Sequence, residues 1–330
     1  MRLEKVAKLM DPSIDMGVVL KPENIFYLTG FYPTSFAVLV LGSEPYLAVS
    51  EMDAALAEDA PLEVRVVKSF KKELEFKGKV GVEKRHTTVS FVEEFLEGCE
   101  LVDLKIINEI RQTKDRGEVE LIKKGICVTE NVLEGLSLQG LSEREAAAEI
   151  TFNLNKAAAT AFDPIVATDG NSAVPHHTPG RDIISGSGPV IVDIGAQVGH
   201  YNCDMTRTFS ESPSEKFREV YQAVVEAQKE GIKYLRPGAV AKDCDTAVRG
   251  VLAEYGYEEY FIHSSGHGVG LEVHEAPRIS KDSEDVLKEG MVLCIEPGVY
   301  IPGWGGVRIE DVVLVGKKPK VLTGFPKLEV

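Results

Sequence analysis

An α+β chain built of two unequal parts is what the sequence predicts, on three observations. From residue 1 to 108, short apolar runs alternate with helix-like stretches, the pattern of a small α/β unit. Beyond Asn108 the pattern changes to capped helices separating blocks of strand-like runs. Neither region contains a visible repeat or a low-complexity segment. The expected division is therefore 1–108 for the smaller domain and 109–330 for the larger.

In the first part the apolar runs are Met16 to Leu20, Phe36 to Leu41, Tyr46 to Val49, Val64 to Val67 and Val80 to Glu83. Glu51 to Glu58 and Val89 to Leu96 read as helices between them. The second part opens with a helix whose Asp115 and Glu118 form a capping box, followed by Val119, Ile122, Ile126 and Leu133 at helical spacing. Ser142 with Glu145 caps the next helix. Ser212, Pro213 and Glu215 open a third with a stripe of Phe217, Val220, Tyr221, Val224 and Val225, and a fourth ends at Gly256. Pro189 to Ile194, Met205 to Phe209, Met291 to Ile295 and Val307 to Val315 read as strands.

Bulk properties narrow the function. With 330 residues, 44% of them hydrophobic, the chain can bury a sizeable core, and a soluble globular protein is expected. A net charge of −15, with basic residues scattered among more numerous acids, argues against a nucleic-acid partner. The five cysteines lie far apart with no CxxC pair, so a reducing cytoplasm fits better than a disulfide framework. The start, MRLEKVAKLMDPSID, lacks the apolar core of a signal peptide, and no stretch approaches the ~20 apolar residues of a membrane span.

The chemistry lies in acids and histidines placed beside apolar runs. Asp193 and Asp204 flank a Gly195 to Gly199 turn region in VIVDIGAQVGHYNCDMTRTF, so a hairpin can set them facing one another across adjacent strands. Glu296 ends the run MVLCI, and Glu310 lies inside VRIEDVVLV. Four carboxylates gathered in one pocket repel each other unless cations neutralise them, and two divalent ions balance four negative charges. His267, between glycines in SSGHGVG, is the candidate imidazole. One imidazole in an oxygen-rich set suits manganese or cobalt, with zinc or iron also compatible, better than calcium.

VDIGAQ, CDMTRT, SGHGVGLEVHE, IEPGVY and GVRIEDVVLV, in this order, resemble the prolidase and aminopeptidase P family of dinuclear metallopeptidases. The resemblance spans roughly residues 110 to 320, and PENIFYLTGF resembles a stretch of the family's smaller, creatinase-like N-terminal domain. It implies the pita-bread fold for the larger domain. It also implies that Asp193 is a bidentate ligand of one metal, that His267 and Glu296 bind the other, and that Asp204 and Glu310 bridge the two. A metal-bridging hydroxide would then cleave the bond before proline in a di- or oligopeptide, with Glu296 as proton shuttle.

His176 in AVPHHTPG and His274 in GLEVHE match the family's substrate-facing histidines, and Arg308 matches an arginine that orients the metal-site carboxylates or contacts substrate. His177 reads equally as a loop histidine or a supporting one, and His263 equally as a nearby hydrogen-bond partner or a histidine with no role at the site. Arg278 could meet a substrate carboxylate or simply be solvated; Trp304 could wall the pocket or only pack. The resemblance further implies a homodimer. Xaa-Pro dipeptidase and Xaa-Pro aminopeptidase stay open, as do a methionine aminopeptidase, a creatinase-like hydrolase that has abandoned the metals, and a non-enzymatic binding module; the last two are expected to lose ligands.

Overall fold

The computed structural model describes residues 2–329, which cluster into two units divided between Arg111 and Gln112. The first is built on a six-stranded mixed sheet in the order Glu63–Val66, Tyr46–Val49, Ala37–Leu41, Met16–Val19, Lys79–Val82, Glu100–Asp103. Its core joins Val18, Val38, Val80 and Val82 from the strands to Phe76, Phe91 and Leu96. The helix Pro22–Thr29 was not foreseen. Pro22 opens it, and Gly30, at φ 77°, closes it by donating to the Phe26 carbonyl, which explains the PENIFYLTGF sequence locally.

Glu51 to Glu58 is not a helix but a run of turns. Its backbone bonds reach mainly three residues back, as from Asp53 to Ser50 and Leu56 to Asp53, so no α-helix propagates. Asp53 is held elsewhere: its buried carboxylate accepts from the Thr34 and Ser35 amides at 3.2 and 3.0 Å.

In the second unit the helices Arg116–Glu134 and Glu143–Ala157 carry complete capping boxes at Asp115/Glu118 and Ser142/Glu145. The third helix, Glu215–Ile232, is capped by Ser214 rather than Ser212. From Ser214 the hydroxyl meets the amide of Phe217, the first residue of the buried stripe, so the cap and the core face fall in one register. Ala241–Glu254 packs beside it.

The strands of this unit form a three-stranded antiparallel sheet (Met205–Phe209, Val190–Ile194, Ile165–Thr168) and a five-stranded one in the order Glu275–Ile279, Gly266–Gly268, Val292–Ile295, Asp311–Leu314, Lys320–Val321. A hairpin of Gly298–Ile301 with Gly305–Arg308 and a small sheet of Tyr201–Asn202, Ala196–Val198 and Ala159–Thr160 complete it. Mixed helix and sheet in this arrangement is the predicted α+β class. No helix among the described residues is long and apolar enough to cross a membrane.

Val307 to Val315, expected as one strand, is two. Gly305–Arg308 pairs with Gly298–Ile301, whereas Asp311–Leu314 pairs with Val292–Ile295. Between them the Glu310 amide donates to the Thr206 carbonyl at 3.1 Å, and the Arg207 guanidinium holds the Glu310 carbonyl at 2.7 Å. The backbone therefore changes partners at Glu310. A matching switch occurs at Glu296, whose amide donates to the Ser265 carbonyl at 2.9 Å before the chain enters the Gly298–Ile301 strand.

Candidate metal centre

Each acid of the cluster is placed by a local feature of a strand or its end. Asp193 lies within Val190–Ile194 opposite Thr206, so Asp204, two residues before Thr206 and just ahead of the partner strand, stands diagonal to Asp193 instead of facing it. The turn between them is the two-residue Gly199–His200 loop, with both residues at positive φ. Gly195 lets the strands stay close at the acids: a Cβ there would sit 2.1 Å from the Cys203 carbonyl oxygen.

Glu296 and Glu310 occupy the two partner switches. One side chain fixes both: the buried Gln228 amide donates to the carbonyls of Ile295, at 2.9 Å, and Ile309, at 3.2 Å, the residues just before the two glutamates. Lys327 in turn donates to the Gln228 oxygen at 2.5 Å.

The acids converge on His267. Its Nε2 lies 3.8 Å from Asp204 Oδ2, 3.5 Å from Glu296 Oε1 and 3.7 Å from Glu310 Oε1. Nδ1 faces the Gly268 carbonyl at 3.1 Å, and since a carbonyl only accepts, Nδ1 carries the proton. Burial depresses the imidazole to about 3, so His267 is neutral and its Nε2 lone pair points at carboxylate lone pairs. These separations satisfy an ion-pair distance, but no ion pair exists without a charged ring.

That arrangement is unfavourable without a cation. Asp193 Oδ1, Asp204 Oδ1 and Glu310 Oε1 are buried with no hydrogen-bond partner in the protein. Burial, followed by mutual repulsion with the other acids, raises Asp204 and Glu310 well above the usual carboxylate range. Burial lifts Glu296 to about 8 despite the nearby Arg308 charge, with Asp193 adding to the rise. Orphaned carboxyl oxygens around an unprotonated imidazole nitrogen fit divalent cations, and the donor set is one imidazole among oxygens.

Arg308 binds this cluster to its surroundings. Nη2 donates to Asp193 Oδ2 at 2.7 Å, Nε to the Thr206 hydroxyl at 3.2 Å, and Nη1 to the Tyr300 hydroxyl at 2.9 Å and the Pro175 carbonyl at 3.3 Å. Burial works against the guanidinium charge, but Tyr300, Asp193 and Glu296 hold it firmly protonated. Tyr300 passes the interaction on to His263 Nε2 at 2.8 Å, and His263 Nδ1 donates to the Ser264 carbonyl. Thr206 completes the set, donating to Glu310 Oε2 at 2.9 Å.

The remaining histidines lie nearer to solvent. His274 is exposed, with its ring edge-on to His267 at a centroid distance of 4.3 Å, and burial of part of the ring lowers its proton affinity. His176 is exposed and near enough to influence both His274 and His263. His177 has a supporting place: its Nε2 meets the fully buried Glu143 carboxylate at 2.7 Å. Glu143 also accepts from the Thr168 and Gly180 amides, which pins both ends of the loop that carries His176.

Trp304 packs against the cluster of Phe217 and Val220, with Lys216 4.9 Å from its ring. Arg278 is exposed and pairs through its backbone opposite His267. Sequence reasoning did not single out Gln228, Tyr300, Thr206 or Glu143. Gln228 carried a readable signal, being a polar residue on the apolar stripe of its helix.

Four carboxylates, three of them on buried residues, and a neutral imidazole, assembled at strand ends, define a divalent-metal site of hydrolytic type. Residues 120–317 match the model of Metallopeptidase family M24, and residues 2–113 match the Creatinase/Prolidase N-terminal domain. The chain belongs to family M24, and its larger domain has the pita-bread fold. It is 41% identical to the Xaa-Pro dipeptidase of Pyrococcus furiosus over 95% of this chain and 94% of that protein. The crystal structure of the prolidase from Pyrococcus horikoshii OT3 superposes with a TM-score of 0.93 at 38% identity, covering 99% of each chain. The X-Pro aminopeptidase from Thermotoga maritima MSB8 gives 0.86 at 30% identity, again over 99% of each.

Proposed function

We propose that this chain is a metal-dependent Xaa-Pro dipeptidase, with Asp193, Asp204, His267, Glu296 and Glu310 holding two divalent cations. The observation that carries the metal reading is the His267 Nε2 lone pair set 3.5 to 3.8 Å from three carboxylates. The substrate reading is supported by the 41% identity to a curated Xaa-Pro dipeptidase over nearly the whole chain. When bound, the cations would supply a hydroxide near neutral pH and polarise the scissile carbonyl.

The protein's own groups account for the rest. Arg308 keeps Asp193 in place. Thr206 orients Glu310 from one oxygen and leaves the other free to coordinate. Glu296 has the most accessible side chain of the four acids, at 18% against 13% for Asp193, 6% for Asp204 and 2% for Glu310. It is therefore the acid placed to take a proton at Oε from the attacking water and deliver it to the proline nitrogen. His176 and His274 border the cluster where a substrate carbonyl would lie and donate to its developing oxyanion.

Manganese or cobalt is the expected metal, with zinc or iron as substitutes; a homodimer in the cytoplasm, dividing near residue 108, is the expected form. The test is a side-by-side assay of a Xaa-Pro dipeptide, a Xaa-Pro-Yaa tripeptide and a Met-Ala-Yaa tripeptide with Mn²⁺. Preference for the dipeptide is expected. Preference for the tripeptide with proline second makes it an aminopeptidase, and cleavage of Met-Ala alone rejects the proline reading.

A further inference from the structure

One side chain of the cluster has no part in the roles above. Cys294 is the direct antiparallel partner of His267 on one side and of Val312 on the other, so the register puts its thiol on the same sheet face as the imidazole. Glu296, just past the end of that strand, reaches the same imidazole at 3.5 Å. The Cys294 sulfur, a ring nitrogen of His267 and one carboxylate oxygen each from Asp204 and Glu310 all lie within 4.8 Å of one another, and all four residues are buried.

Two of those acids carry orphaned oxygens, Asp204 Oδ1 and Glu310 Oε1, so the sulfur stands among groups already lacking a partner. The other buried thiols differ. Cys203 bonds the Thr129 hydroxyl at 3.1 Å and the Ala196 amide at 3.4 Å, and Cys244 lies in an apolar cluster with Leu235, Leu287 and Leu293. A four-coordinate cation with ligand bonds of about 2.0–2.3 Å spaces its donors by about 3.3–3.8 Å. Four donors within 4.8 Å reach that spacing by small side-chain movements.

We propose that Cys294 is a further donor of this centre, recruited when the cation is thiophilic. Resting on the metal reading above, this gives a sulfur, nitrogen and two-oxygen set from Cys294, His267, Asp204 and Glu310, suited to cobalt, zinc or cadmium. Manganese, a harder cation, keeps only the oxygen and nitrogen donors. As the sulfur–metal bond forms, the S–H bond breaks and its proton leaves to solvent; no oxidation state changes. The position thereby discriminates among divalent metals through one side chain.

The test titrates the full-length, chelator-stripped chain with Co²⁺ and with Cd²⁺, recording the sulfur-to-metal charge-transfer band and the number of ions retained. X-ray absorption at the cobalt edge reads the same bond in the wild type without any variant. Expected are a charge-transfer band and a sulfur at about 2.3 Å from cobalt. In Cys294→Ser the band disappears, Cd²⁺ affinity falls about tenfold or more, and Mn²⁺ affinity is unchanged. Retained cobalt with no sulfur neighbour overturns the Cys294 assignment while leaving the metal reading intact. A band that survives in Cys294→Ser, or in Cys294→Ala made in parallel, also overturns it. Failure to retain any ion overturns both.

Discussion

Arg308 Nη2 donates to Asp193 Oδ2 at 2.7 Å, the one direct ion pair to an acid of the cluster among the described residues. The same guanidinium reaches Thr206, Tyr300 and the Pro175 carbonyl, so a single planar group fixes an acid, the partner of a second acid, and the loop leading to His176. Replacing Arg308 by alanine should lower kcat/KM by about a hundredfold or more, the scale on which a misplaced catalytic group costs rate. Arg308→Lys should rescue little, because an ammonium cannot reproduce the fork. Steady-state kinetics of both variants decide this; near wild-type turnover in the lysine variant would show that charge alone suffices.

Gln228 couples a surface helix to two acids through the carbonyls of Ile295 and Ile309. Gln228→Leu leaves two buried carbonyls without this donor, and a loss of about 1–3 kcal/mol for each group left unsatisfied is expected. Metal affinity should fall about tenfold as Glu296 and Glu310 lose their shared anchor. Denaturant unfolding and calorimetric metal titration measure the two effects separately. Reduced stability with unaltered metal affinity would mean that the helix does not position the acids.

The cluster makes the metal-free chain sensitive to pH in a defined direction. Glu296 titrates at about 8 when folded against an ordinary 4.5, so between those values the native state binds more protons than the unfolded one. Asp204 and Glu310, also raised, act in the same direction. The stability contribution of these acids is therefore present at low pH and is lost as pH rises from about 4.5 through about 8. Thermal unfolding of the stripped chain should show this decline, and Mn²⁺ should oppose it by favouring the ionised acids. A decline unaffected by metal would place its origin outside the cluster.

Much of this was legible in the sequence because it is local. The capping boxes at Asp115 and Ser142 depend on residues three apart, and the structure contains both. The family pattern depends on short motifs around each acid, and the M24 match covers them. What escaped is what distant residues impose. The Val307 to Val315 run is uniformly strand-like, yet it breaks at Glu310 because its backbone bonds Thr206 and Arg207, more than a hundred positions away. Asp193 and Asp204 stand diagonal and are not a cross-strand pair, since the register is set at Met205↔Ile194 and not by the turn alone. Tyr300, in a plain GVYI strand, links His263 to Arg308, with nothing nearby in sequence to announce it.

The most direct test of the central claim counts metal. The full-length chain, stripped with chelator and reloaded with Mn²⁺ or Co²⁺, should retain two ions per chain by elemental analysis and regain hydrolysis of a Xaa-Pro dipeptide. Glu310→Ala should retain fewer than two and hydrolyse none. Full hydrolysis by the stripped wild-type chain, or two ions still held by Glu310→Ala, would contradict the account.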